Sequence, residues 1–137
     1  MKEQLIEPTE ELKNQQKSQE AIIWSLDLMV NLFNCSDFPF EEKEIQELAQ
    51  MLGEKIDEGG EIVGVVNEFG KHEEAMKGLR LIHETQNSLI TAHFVEKTKN
   101  VYLNIHSCAG YRPSEAIALI VEKTKPESYS CQKVFRD

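Results

Sequence analysis

The alternation of apolar and polar residues from Ile22 to Phe33 constrains the fold more than any other feature of this chain. Every second position in this stretch is a large apolar residue: Trp24, Leu26, Leu28, Val30 and Leu32. Ser25, Asp27 and Asn31 lie between them. Successive side chains of a β-strand point to opposite faces, so the pattern predicts a strand with one buried face.

The rest of the chain predicts two helices and five further strands. Apolar residues recur at helical spacing between about Phe40 and Asp57, and Pro113 opens a second helix that ends at Lys125. The further strands are expected at Glu61–Phe69, Leu79–Glu84, Leu89–Glu96, Val101–Cys108 and Tyr129–Arg136. This order, β-α-β-β-β-β-α-β with short links, predicts an α+β fold. We expect a two-layer protomer with a mainly antiparallel sheet covered by two helices on one face.

The chain divides into an extension and one domain. Residues 1–19 are rich in charge and glutamine and carry little apolar periodicity, whereas residues 20–137 are long enough to bury one core. The second face of the first strand stays partly apolar through Ile23, Met29 and Phe33. An apolar sheet face needs a cover, so we expect a homodimer.

Composition excludes several classes of partner. The chain has 24 acidic and 15 basic residues and a net charge of −9, which argues against nucleic acid and favours a small cationic substrate. No apolar run approaches the roughly 20 residues of a membrane span, and the polar N-terminus is unlike a signal peptide, so a cytoplasmic protein is expected. The three cysteines and four histidines lack disulfide or metal-ligand spacing, and we expect no metal.

Three side chains with catalytic potential lie between Glu84 and Tyr111, namely Ser88, His93 and Cys108. Each residue alone is typical of a structural role, and only the joint pattern points to chemistry. A serine hydroxyl at a turn can attack the preceding carbonyl and convert the amide into an ester. Loss of that ester leaves dehydroalanine, which hydrolyses to a pyruvoyl group, an electron sink for decarboxylation. Because Ser88 and His93 are an odd number of residues apart, their cooperation requires Ser88 to lie in a turn or at a bulge.

The sequence SLITAH at residues 88–93, followed by IHSC at residues 105–108, resembles the bacterial and archaeal S-adenosylmethionine decarboxylase proenzymes. The likeness extends over roughly residues 20–137. It implies self-cleavage between Asn87 and Ser88, with Ser88 becoming the pyruvoyl cofactor that forms a Schiff base with the substrate. It further implies that His93 assists processing and that Cys108 protonates the product. Family protomers pair into an αββα dimer with sites near the interface.

The candidate substrate-binding residues are Phe94, Glu96 and His106. The family commonly has an aromatic residue and a Pro-Glu pair just after the histidine, where this chain reads Phe94-Val95-Glu96. It also usually has glutamate before the processing serine, where this chain has Asn87.

The resemblance implies a carboxy-lyase that acts on S-adenosylmethionine and supplies aminopropyl groups for polyamine, notably spermidine, biosynthesis. Two alternatives remain open. One is a non-cleaving relative that binds a ligand or regulates a partner. The other keeps the pyruvoyl chemistry but acts on ornithine or arginine.

Overall fold

Six strands and two helices make up most of the residues described by the structure, a computed structural model that covers residues 25–57, 60–108 and 110–136. The elements are β1 Ser25–Phe33, α1 Glu42–Ile56, β2 Glu61–Phe69, β3 Gly78–Thr85, β4 Ser88–Val95, β5 Asn100–Ser107, α2 Pro113–Thr124 and β6 Ser128–Arg136. A short 3-10 turn, Glu74–Met76, connects β2 and β3. The predicted order of strands and helices is confirmed. The expected extension over residues 1–19, and Trp24 with it, lies outside the described residues.

The six strands form one sheet in the order β2-β3-β4-β5-β1-β6. Every neighbouring pair is antiparallel, as predicted. Strands β2 to β5 follow one another in space as in the sequence. Strand β1 departs from this order, because it lies between β5 and β6.

Both helices pack on one face of the sheet, which we call the inner face. Helix α1 lies over β2, β3 and β4, α2 contacts β1, and the two helices contact each other. The predicted alternation of β1 is confirmed, because its even-numbered residues from Leu26 to Leu32 are all buried in this layer. The α+β protomer with two layers is therefore the fold of the described chain.

The ends of α1 differ slightly from the prediction. The helix begins at Glu42 rather than Phe40, and the Glu44 side chain accepts a hydrogen bond from the Glu41 backbone N–H at 3.2 Å. This contact satisfies a donor that the helix itself leaves unpaired. The helix ends at Ile56, and Asp57 is already extended.

The opposite face of the sheet, the outer face, is covered by no helix among the described residues. It carries a row of apolar side chains that are each between 37% and 45% exposed: Met29, Val65, Ile82, Leu89, Tyr102 and Val134. Polar and charged residues separate them, so the face is mixed in character. In the part of the chain that the structure describes, no helix is long and apolar enough to cross a membrane.

Candidate active site

The candidate cleavage point lies at the turn between β3 and β4. Gln86 and Asn87 make this connection, and Ser88 is the first residue of β4. Ser88 pairs with Ser107 of β5, and its side chain points to the inner face, where it is only 5% exposed. The Ser88 hydroxyl donates a hydrogen bond to Ser107 Oγ at 2.7 Å. The potential nucleophile is therefore held in a defined position at the edge of the core.

The carbonyl group that Ser88 would attack is also held. The oxygen of Asn87 accepts a hydrogen bond from the backbone N–H of Cys108, with 2.9 Å between nitrogen and oxygen. A donor at this oxygen withdraws electron density from the carbonyl carbon and stabilises the negative charge that forms during attack. Cys108 follows the last residue of β5 and is exposed. The structure thus places the Cys108 backbone at the Asn87–Ser88 peptide bond, next to the Ser88 residue itself.

His93 is not brought to this bond within one chain. It lies five residues further along β4, which at about 3.3 Å per residue is about 16 Å from Ser88. Its ring is on the outer face and stacks on the Phe69 ring, with centroids 4.4 Å apart. Partial burial and the nearby Arg80 charge lower the pKa of His93.

The requirement that Ser88 leave the regular strand is not met. Its pairing with Ser107 opens a ladder that runs without a register shift to Val95 and Asn100. Ser88 and His93 therefore face opposite sides of the sheet, as strand alternation demands.

The three candidate substrate-binding residues lie apart from one another. Phe94 is 1% exposed and sits in the core, where its ring meets the Phe38 ring edge-on at 6.2 Å, so it offers no face to a ligand. Glu96 begins the turn after β4, about 26 Å along the strand from Ser88. Of the three, His106 alone lies near the turn between β3 and β4, on the outer face opposite Leu89.

His106 belongs to a charged group on the outer face. Its Nδ1 is hydrogen-bonded to Asp27 Oδ1, and Arg136 Nη1 lies 2.9 Å from Asp27 Oδ2. Burial acts to raise the pKa of Asp27, but the hydrogen bonds from His106 and Arg136 outweigh it and hold that pKa below its ordinary value. A depression of about 480 Å³ beside this group is lined also by Leu89 and Thr91.

A buried carboxylate beneath the turn between β3 and β4 was missed by the sequence analysis. Asp57, just after α1, is 6% exposed, and its Oδ2 accepts hydrogen bonds from Thr85 Oγ1 at 2.6 Å and from the Asn87 N–H at 2.8 Å. Its Oδ1 accepts a third from Asn87 Nδ2 at 3.3 Å. The Thr85 hydroxyl in turn accepts the Ser88 N–H at 3.0 Å. Asp57 precedes Asn87 by thirty residues, so no local pattern connects the two.

A cavity of about 400 Å³ extends from this carboxylate between α1 and β3. Its lining residues are Gln50, Gly53, Glu54, Asp57, Gly60, Glu61, His83 and Thr85. His83 is buried in its wall, with Nδ1 3.4 Å from Glu61 Oε1. Burial lowers the pKa of His83, although the Glu61 charge acts in the opposite direction. Among the described residues, no three His, Cys, Asp or Glu side chains are grouped so that they could hold a metal ion.

Comparison with known proteins identifies the family of this chain. The sequence profile of S-adenosylmethionine decarboxylase matches residues 26–137. The chain belongs to the S-adenosylmethionine decarboxylase family. Its fold is also similar to the crystal structure of the adenosylmethionine decarboxylase from Aquifex aeolicus, with a TM-score of 0.66 and 16% identity over 84% of this chain and 92% of that one. No curated protein shows significant sequence similarity to the chain.

We expect His83 to make the stability of this family member depend on pH. Its pKa in the folded protein is below the ordinary value of 6.5, so the unfolded chain binds the proton more readily. The contribution of neutral His83 is fully present above about pH 6.5 and is lost as the pH falls from there towards the folded pKa. The free energy of unfolding, measured with denaturant between pH 7.5 and 5, should therefore fall less in His83→Gln than in the wild-type protein. The difference between the two slopes should be less than about 1.4 kcal/mol per pH unit.

The matched control is His72→Gln, which changes an exposed histidine in the turn after β2. It should retain the pH dependence of the wild-type protein. The same pH slope in His83→Gln and wild type would show that the buried histidine does not titrate with folding.

Proposed function

We propose that this chain is a pyruvoyl-dependent S-adenosylmethionine decarboxylase of spermidine biosynthesis that makes its pyruvoyl group from Ser88. Family membership supports the reaction and the substrate. The observation that carries self-processing is the Asn87 carbonyl, which is bonded to the Ser88 nitrogen and accepts the Cys108 N–H on its oxygen, while the Ser88 hydroxyl is held by Ser107. The nucleophile and the carbonyl that it would attack thus belong to adjacent residues, and a hydrogen-bond donor already occupies the carbonyl oxygen.

The first step would convert the Asn87–Ser88 amide into an ester. Ser88 Oγ attacks the Asn87 carbon while its proton leaves towards Ser107 Oγ, which already accepts a hydrogen bond from it. The Cys108 N–H holds the oxygen that becomes negative. The C–N bond then breaks, and the Ser88 nitrogen takes up the proton that left the hydroxyl and becomes an amine, which binds a second proton from water below about pH 7.7.

The second step would release the two chains. Loss of the Ser88 Cα proton and cleavage of its Cβ–O bond leave Asn87 with a free carboxylate and residue 88 as dehydroalanine. Water then replaces the nitrogen, which departs as ammonia, and the pyruvoyl group remains at the new N-terminus. The products would be chains of residues 1–87 and 88–137.

During decarboxylation the pyruvoyl carbonyl supplies the electron sink when it is present. We assign protonation of the product carbon to Cys108, because its backbone N–H binds the Asn87 oxygen and its side chain is exposed. The net charge of −9 favours approach of a cationic substrate. His106 is positioned near the same junction on the outer face, where Asp27 orients its ring.

A second copy of the chain would complete the site. His93 is about 16 Å from Ser88 of its own chain and lies on the outer face, so it can assist processing only from another protomer. The exposed apolar row on that face, which includes Met29 and Tyr102, is suited to pack against a second sheet. The resulting homodimer would have two sheets between two helical layers.

One observation favours a different function, that of a non-cleaving family member that binds a ligand or regulates a partner. Ser88 continues a regular ladder, and its hydroxyl and its N–H both have hydrogen-bond partners. A bond held without strain is less predisposed to break. The mass of the purified protein separates these two functions.

The wild-type protein should appear as two fragments of residues 1–87 and 88–137 by intact mass spectrometry under denaturing conditions, with the smaller one blocked at its N-terminus. Ser88→Ala should remain a single chain because the nucleophile is gone. Ser36→Ala, which changes an exposed serine after β1, should be cut normally. Wild-type protein that stays intact after long incubation supports the non-cleaving function.

Cys108→Ala should still be cut, because its backbone N–H remains on the Asn87 oxygen, but decarboxylation should slow by about a hundredfold. The measurement is carbon dioxide release from S-adenosylmethionine, with ornithine and arginine as competing substrates. Cys131→Ala, which removes a buried thiol of β6, is the control and should keep the wild-type rate. A wild-type rate in Cys108→Ala contradicts the role of this thiol.

Processing should occur between protomers, and a mixing experiment can detect it. Ser88→Ala and His93→Ala should each remain uncut alone. When the two variants are co-expressed, the His93→Ala chain should be cut, because the Ser88→Ala chain supplies an intact His93. Efficient cutting of His93→Ala expressed alone would show that this histidine is not needed. Mixed dimers in which the His93→Ala chain stays uncut would show that His93 does not act across the interface.

A further inference from the structure

The backbone nitrogen of Ser88 is held by a hydroxyl that is itself backed by a buried carboxylate. The Ser88 N–H donates to Thr85 Oγ1 at 3.0 Å, and the same hydroxyl donates to Asp57 Oδ2 at 2.6 Å. Both Thr85 and Asp57 are buried. In the cleavage proposed above, this nitrogen is the leaving group.

We infer that Thr85 and Asp57 promote the first step of self-processing by stabilising the positive charge that the Ser88 nitrogen acquires as it leaves. The inference rests on the proposed cleavage of the Asn87–Ser88 bond. In that step a C–O bond forms from Ser88 Oγ and the Asn87 C–N bond breaks. The nitrogen, which carries one proton in the amide, gains the proton that the hydroxyl gives up and a second proton from water, and so becomes an ammonium group. Thr85 contacts the reacting nitrogen, whereas Asp57 acts through Thr85 as a positioning residue.

The stabilisation is larger after the bond breaks than before. In the intact chain the nitrogen is a neutral amide, so its hydrogen bond to Thr85 is an ordinary one. In the ester it is an ammonium group, and hydrogen bonds from charged donors are roughly twice as strong as neutral ones. The negative charge of the Asp57 carboxylate strengthens this contact further. It attracts the ammonium group through a buried region that contains little water, where electrostatic interactions are weakly screened. An interaction that grows along the reaction accelerates it.

Asp57 also holds the other side of the scissile bond. Its carboxylate accepts hydrogen bonds from the Asn87 N–H and from the Asn87 side-chain amide. The Asp57 carboxylate therefore holds Asn87 directly, and it holds the Ser88 nitrogen indirectly through the Thr85 hydroxyl. The turn cannot shift without breaking these contacts together.

The test follows cutting of freshly made protein over time by intact mass in four variants. Asp57→Asn and Thr85→Val should each slow cutting by about tenfold, because the charge or the bridging hydroxyl is lost. Thr85→Ser retains the hydroxyl and should cut at a rate close to wild type. The double variant Asp57→Asn/Thr85→Val should be no slower than the slower single variant, because the two residues act in one chain of hydrogen bonds.

A second measurement separates charge stabilisation from simple support of the turn. Hydroxylamine cleaves an ester but spares an amide at neutral pH, so the fraction it cuts at residue 87 reports the ester population. The fraction cut by hydroxylamine should be about tenfold larger in wild type than in Asp57→Asn below about pH 7.7, where an α-amine is protonated. Above that pH the ratio of the two fractions should fall towards one. The neighbouring groups His83, Glu54, Glu61 and Cys108 are present in both proteins. Loss of turn support alone would give the same ratio at every pH.

The outcomes distinguish this inference from the proposed function. Wild-type protein that cuts, with Asp57→Asn and Thr85→Val cutting equally fast, overturns the roles of Thr85 and Asp57 and leaves self-processing intact. A wild-type-to-variant ratio that does not change with pH also overturns them. Wild-type protein that never cuts overturns self-processing and this inference together.

Discussion

The antiparallel pairing of β4 with β5 is the contact on which the candidate site depends. It sets Ser88 against Ser107 and brings the Cys108 N–H to the Asn87 oxygen. A slip of one residue would turn Ser88 to the outer face and remove both contacts, because strand side chains alternate with a period of two. The fully buried apolar residues of the two strands, including the facing pair Ile90 and Ile105, oppose such a slip because it would expose them.

One end of the inner face is polar, in contrast to the rest of the core. His83, Thr85, Ser88 and Ser107 come together there, and Asp57 lies beneath them. Buried polar groups destabilise a fold unless each finds a partner, and a wholly apolar core would be easier to assemble. Here the side chains of Asp57, Thr85, Ser88 and Ser107 hydrogen-bond to one another and to the backbone on either side of the Asn87–Ser88 bond.

Sequence patterns predicted the strands, the helices and the single covered face, because each depends on periodicity within one element. The same periodicity placed Ser88 and His93 on opposite faces, and it could also have shown that Phe94 points inward with Ser88. The network of Asp57 and Thr85 was beyond such reasoning. It joins the end of α1 to a turn thirty residues later, and only the packing of α1 on β3 brings them together.

The place of β1 in the sheet determines what a break at residue 87 would do to the molecule. Strands β1 to β3 precede the break and β4 to β6 follow it, yet β1 lies between β5 and β6. Three of the five strand pairings, β3–β4, β1–β5 and β1–β6, would then join different polypeptides. A cut at residue 87 would therefore create a new chain end, while the two pieces would stay paired with each other in one sheet.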